Sequence, residues 1–151
     1  MKLLLALSFI SLSFLSVDWQ SDFNKAKEEA SKENKAILIN FSGSDWCGPC
    51  IRMKKEIFES NAFTDYASGN LILLRADFPR DKKNQLSKEQ TAKNGALAEK
   101  YNPEGKFPLT VLVSADGKVL KEWEGLPKKT SDQFVDEIKL VLDGGNGSNS
   151  N

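Results

Sequence analysis

The chain reads as an α/β protein, with a central mixed β-sheet flanked by helices. Two patterns carry that expectation. Short β-rich apolar runs alternate with segments of helical period, the order in which crossover helices join parallel strands. The last two strands are instead separated only by the turn Ala115-Asp116-Gly117, so they pair antiparallel and make the sheet mixed. At 151 residues and 40% hydrophobic side chains, the chain can bury one sizeable core.

Residues 1–16 hold one lysine and then an apolar run broken only by serines, which is the composition of a secretory signal peptide. The run is too short and too rich in serine to span a bilayer comfortably, which takes about 20 residues; an uncleaved anchor is the alternative reading. Ser11-Leu12-Ser13 is the best small-x-small match for cleavage, and cleavage after Ser16 is the alternative. No cysteine precedes Cys47, so the leader carries no lipid-modification site. Residues 17–143 are then an exported domain, periplasmic or secreted.

Within that domain Trp19, Phe23, Ala26 and Ala30 recur at helical spacing, predicting a helix from Asp18 to Asn34. Ala36 to Phe41 is an apolar strand, ended by Ser42-Gly43-Ser44-Asp45. From Cys47 one long helix is expected, with Ile51, Ile57, Phe58, Tyr66 and Ala67 inward, closing at Ser68-Gly69-Asn70. Leu71 to Ala76 is the next strand. Residues 77–94 are polar and contain Pro79, a long loop leading to a helix near Gln90 to Tyr101. Leu109 to Val113 and Lys118 to Trp123 form the hairpin. A last helix covers Ser131 to Leu142, with Phe134, Ile138, Val141 and Leu142 inward. Residues 144–151, GGNGSNSN, read as a flexible tail with nothing to bury. No internal repeat is visible.

Charge and composition exclude several classes of function. Lys+Arg and Asp+Glu both number 21, so no basic excess is available to bind nucleic acid. Loss of Lys2 with the leader leaves a formal charge of −1. The lysine-rich stretch 80–93 contains Asp81 and Glu89 and reads as a solvated face. The absence of histidine removes Ser-His-Asp and Cys-His nucleophilic sites, imidazole bases and His-ligated metals.

The chemistry rests on the two cysteines, Cys47 and Cys50, in Cys47-Gly48-Pro49-Cys50. The motif follows a strand and opens a helix, the setting in which C-x-x-C reads as a redox pair. At the first helical turn Cys47 meets unpaired backbone N–H groups and the positive end of the helix dipole, both of which favour the thiolate. Cys50, at i+3, lies on the same face and can resolve a mixed disulfide formed by Cys47. Pro49 suits a first turn, where its missing N–H is not needed. Three readings compete. Zinc would need four ligands, a purely structural disulfide gains little from so short a loop, and two idle thiols are out of place in an oxidising compartment.

Ser44-Asp45-Trp46-Cys47-Gly48-Pro49-Cys50 resembles the active-site segment of the thioredoxin family, whose most specific signature is Trp-Cys-Gly-Pro-Cys. Phe107-Pro108-Leu109-Thr110 resembles its second landmark, a cis-proline that opens the strand facing the dithiol. Gly117 and Trp123-Glu124-Gly125 also stand where thioredoxins have a hairpin turn and a glycine. The likeness runs from about Asn34 to Leu142. The leader and the longer loop after Asp77 make the chain similar to exported bacterial members.

This resemblance implies a thioredoxin fold and a disulfide-containing protein substrate. It places the substrate against Trp46, Gly48, Pro49, Phe107 and Pro108, with Trp46 as an apolar lip. No cofactor is implied. The Gly-Pro dipeptide favours reduction over oxidation or isomerisation within the family. A reductase outside the cytoplasm implies a membrane-embedded dithiol as electron donor, and nothing suggests an obligate oligomer rather than a monomer. A redox-inactive binding or chaperone module is the rival of a different class.

The sequence also departs from the family pattern. Asn40 stands before Phe41, where thioredoxins carry a buried aspartate, so the usual partner for deprotonating Cys50 is missing. Asp45 is a candidate substitute, with helix capping or a plain loop position as its alternative role. Arg75 takes the place of the family's lysine beneath the dithiol, where it would favour a thiolate without acting as a base.

Overall fold

The structure, a computed structural model, describes residues 17–146. The expected leader at 1–16 and the chain end at 147–151 lie outside the described residues. Among the described residues five strands make one sheet: β1 (Trp19–Gln20), β2 (Ala36–Ser42), β3 (Leu71–Asp77), β4 (Leu109–Val113) and β5 (Val119–Glu124). Their order is β1-β3-β2-β4-β5. Strands β1 and β2 run parallel to β3, β4 is antiparallel to β2, and β5 is antiparallel to β4. The sheet is mixed and flanked by helices, as the segment order predicts.

Both faces of the sheet are covered, so β2 reads as an unbroken buried run. Ile37, Ile39, Phe41, Leu74 and Val111 face α1 (Phe23–Glu33) and α4 (Lys88–Tyr101). Ala26 and Ala30 of α1 are fully buried, and their small side chains let that helix lie close on the strands. Leu38, Leu73 and Leu112 face the other way, onto Met53, Ile57, Phe58, Phe63, Phe134 and Ile138. Those six side chains come from the segment that begins at the cysteines and from α5 (Ser131–Asn146).

Four elements differ from the sequence reading. Trp19 belongs to β1, opposite Leu73, and packs on Phe58 at 4.9 Å, so it is not on the first helix. That helix begins at Phe23 because the Asp22 carboxylate accepts the N–H groups of Asn24 and Lys25 at 3.0 and 3.2 Å.

The single helix expected after Cys47 is divided. Segment α2 (Gly48–Met53) runs into a π turn at Lys54–Phe58, and α3 (Asn61–Asn70) follows. The Glu59 N–H reaches the Lys54 carbonyl at 2.9 Å, the wide spacing of a π bulge. Ser60 restarts the helix by accepting the Phe63 N–H at 3.2 Å. Ile51, expected inward, is 49% exposed; Cys50 and Met53 hold the buried positions of that turn.

The fourth helix starts earlier than expected, at Lys88, because Ser87 caps Gln90. Finally, α5 continues through Gly144 to Asn146, into the segment expected as tail. A glycine costs a helix about 1 kcal/mol without forbidding it.

Candidate active site

Strand β2 delivers the chain to Gly43, whose carbonyl accepts the N–H groups of Trp46 and Cys47 at 3.3 and 2.9 Å. This tight turn leaves Cys47 extended, with φ −93° and ψ 99°, as the N-cap of α2. Its Sγ accepts the Cys50 N–H at 3.3 Å. The Cys50 Sγ in turn accepts the Gly43 N–H at 3.5 Å. Each sulfur therefore faces a backbone donor, which favours negative charge there when the bond between them opens. The two are joined as a disulfide with Cα atoms 5.2 Å apart. They are 5% and 4% exposed, whereas Gly48 and Pro49 between them are open to solvent.

Facing this turn, the Phe107–Pro108 peptide bond is cis, the geometry the resemblance implies. Pro108 opens β4, and its carbonyl accepts the Gly125 N–H at 2.8 Å. Pro49, Phe107 and Pro108 share a groove of about 540 Å³ with Leu126 and Pro127, and with Arg52, Glu56 and Lys128 among its polar walls. Three of the five expected substrate-contact residues thus meet in one cleft. Arg52 is paired with Glu56 at 2.8 Å.

Trp46 is half-buried and held on several sides. Its indole N–H donates to the Phe78 carbonyl at 2.7 Å. Phe107 meets the ring at 68° with centroids 5.5 Å apart, and Phe78 packs on Phe107 at 5.4 Å. The Arg80 guanidinium lies 3.6 Å from the indole centroid. Gly43 lies so close that a Cβ there would come within 2.3 Å of the indole Cε2 and 2.6 Å of its ring neighbours Nε1 and Cζ2. Those near-equal distances put it over the ring face. Sequence reasoning missed Gly43, Phe78 and Arg80, although Phe78 is the only aromatic residue in the polar stretch 77–94.

Asp45 is turned to the same loop. One carboxylate oxygen accepts the Arg80 N–H at 2.9 Å; the other accepts the Asp81 N–H at 2.9 Å and the Asn84 amide at 3.0 Å. These bonds, that from Arg80 foremost, hold its pKa below the ordinary carboxylate value. Beside it, Asp77 accepts the backbone N–H and the hydroxyl of Ser44. The loop that reads as polar filler is thereby tied to the cysteine turn.

Asn40 is 3% exposed and donates through Nδ2 to the Thr110 hydroxyl at 3.2 Å. That hydroxyl points at the Met53 sulfur, 3.8 Å away. A neutral chain, Asn40–Thr110–Met53, therefore underlies α2. Arg75 pairs with Asn40 in the β3–β2 register, and its guanidinium stacks on Trp19 at 4.2 Å. Burial pushes its pKa down, while Asp77 and Glu59 oppose that shift.

No helix among the described residues is long and apolar enough to cross a membrane. A family model described as Thioredoxin-like matches residues 18–115. The Disulfide bond reductase DsbH of Chlamydia pneumoniae is 34% identical over 127 residues, spanning 84% of this chain and 74% of that protein. The Thioredoxin-related protein DsbJ of Chlamydia pneumoniae is 25% identical over 128 residues, which are 85% of this chain and 36% of its own length. Among solved structures, a DsbH oxidoreductase superposes with a TM-score of 0.77 at 31% identity, covering 85% of either chain. A thioredoxin from Thermus thermophilus superposes with a TM-score of 0.61 at 16% identity, over 84% of this chain and 88% of that one; at that identity the likeness shows the fold alone.

Proposed function

Because the chain belongs to the thioredoxin-like family, we propose that it is an exported thiol–disulfide oxidoreductase that reduces protein disulfides, with Cys47 as nucleophile and Cys50 as resolving residue. The oxidoreductase class follows from the likeness to DsbH together with the C-x-x-C pair. The direction and the compartment are the proposal.

One observation carries the division of labour. The Cys47 sulfur caps α2 and accepts the Cys50 N–H, which favours the thiolate at the helix start. The Cys47 thiolate attacks one sulfur of a substrate disulfide, forming a mixed disulfide and expelling the other sulfur as a thiolate that takes up a proton. Cys50, deprotonated, then attacks the Cys47 sulfur. The Cys47–Cys50 bond forms, the mixed bond breaks, and the substrate leaves with two thiols. Two electrons and two protons pass from enzyme to substrate. A membrane dithiol returns them. The groove of Pro49, Phe107 and Pro108 holds the substrate segment, and the enzyme acts as a monomer. The Gly-Pro dipeptide and the likeness to DsbH, a disulfide bond reductase, both favour reduction.

The test is the reduction potential of the Cys47–Cys50 pair in glutathione or dithiothreitol buffers. A reductase is expected near the thioredoxin value of about −270 mV; a value of about −120 to −180 mV reverses the direction. A Cys50→Ser variant should accumulate a mixed disulfide through Cys47, visible as a mass adduct. Substrate reduction that survives Cys47→Ser would make the pair incidental.

A further inference from the structure

The resemblance assigns Trp46 as an apolar lip beside Cys47, but the geometry closes both of its faces. Gly43 lies under the ring, and the Arg80 guanidinium lies 3.6 Å from the centroid. Both groups approach the middle of the indole at contact distance, so they cannot share a side and must take opposite ones. The indole N–H is spent on the Phe78 carbonyl. What solvent meets above this tryptophan is therefore the planar cation of Arg80, an exposed residue.

Its position is built rather than incidental. Asp45 fixes the Arg80 backbone N–H, and also Asp81 and Asn84. The neighbouring acids are engaged: the Asp45 oxygens in those bonds, Asp81 with Lys83 at 3.4 Å, and Asp77 with Ser44. Arg80 itself forms no ion pair among the described residues, and its guanidinium donates no hydrogen bond to them. A guanidinium edge binds carboxylate in a planar, two-pronged way.

We propose that Arg80 is a specificity residue of the dithiol site, selecting protein disulfides that carry an acidic side chain next to the reacting cysteine. The proposal rests on the reductase reading and narrows its substrate class. Trp46 then serves as the plate that flattens and orients Arg80.

Three synthetic peptide disulfides that differ only in Glu, Gln or Lys beside the cysteine test it with the full-length reduced protein. The reading is the ratio of kcat/KM for the Glu peptide to that for the Lys peptide, which is independent of the active fraction of any variant. The wild-type protein should favour Glu by about two- to fivefold, the range of an exposed ion pair, and lose that preference as salt rises. In Arg80→Gln the ratio should fall to about one, and in Arg80→Glu it should invert. Equal rates in the wild type, or a preference unchanged in both variants, overturn the proposal alone. If none of the peptides is reduced, the reductase reading fails and this proposal with it.

Discussion

Asn40 is the residue at which we propose the redox behaviour of this site is tuned. It occupies a buried position one strand away from Arg75 and bonds Thr110, whose hydroxyl reaches Met53, one helical turn beyond Cys50. A carboxylate placed there would put a negative charge under α2 and disfavour a second one at Cys47. In Asn40→Asp, the apparent pKa of Cys47, read from alkylation rates across pH, should therefore rise by on the order of one unit. The same variant should resolve mixed disulfides faster, since it supplies Cys50 with a proton acceptor. An unchanged or lower pKa would remove Asn40 from any role in tuning the thiolate. Arg75 was expected beneath the dithiol, but its guanidinium is committed to the Trp19 ring, and a structural contact of that kind leaves no signature in a short sequence window.

At the scale of the element, the loop between β3 and α4 behaves as a wall of the site, fastened by Asp45. The sign of its pH dependence follows from that carboxylate. Its folded pKa lies below the ordinary aspartate value, so its stabilising bonds are fully present above the unfolded value and are lost as pH falls through the folded one. At neutral pH, Asp45→Asn removes the charge and one acceptor oxygen. Trypsin cleavage after Lys82 and Lys83 should then rise severalfold, while cleavage within the strands stays unchanged; equal loop cleavage would mean that the clamp does not hold the loop.

The same element shows what the sequence conceals. Helices and long strands were legible because their apolar residues repeat at 3.6 or fall in unbroken runs. The cysteine pair and Pro108 were legible because a short motif carries them. Strand β1 has only two residues, too few for any period. The π turn adds one residue to a helix whose apolar positions on either side still look helical, and only the exposure of Ile51 betrays it. Two of the contacts of Trp46 come from Phe78 and Arg80, more than thirty residues away, on a loop whose composition says only that it is polar.

For the whole molecule, stability is concentrated where the sheet is covered on both sides. Ile37, Leu38, Ile39, Phe41, Val111 and Leu112 are fully buried, and their ladder joins β2 to strands on both sides. Amide hydrogen exchange should be slowest across Ile37–Phe41 and Val111, and fastest in the described chain near β1 and the 78–87 loop. Slow exchange in that loop matching β2 would show that the active-site wall opens only with global unfolding. Among the described residues the sheet also ends in two unpaired edges, and each is blunted. One is the two-residue β1; the other, β5, follows Val119 and Leu120 with Lys121, Glu122 and Glu124. Such edges give a neighbouring copy no long, uncharged ladder to extend. Native molecules are accordingly expected to be poor templates for cross-β growth, with fibre formation following only damage that unpacks β2 or β4 and exposes their apolar runs.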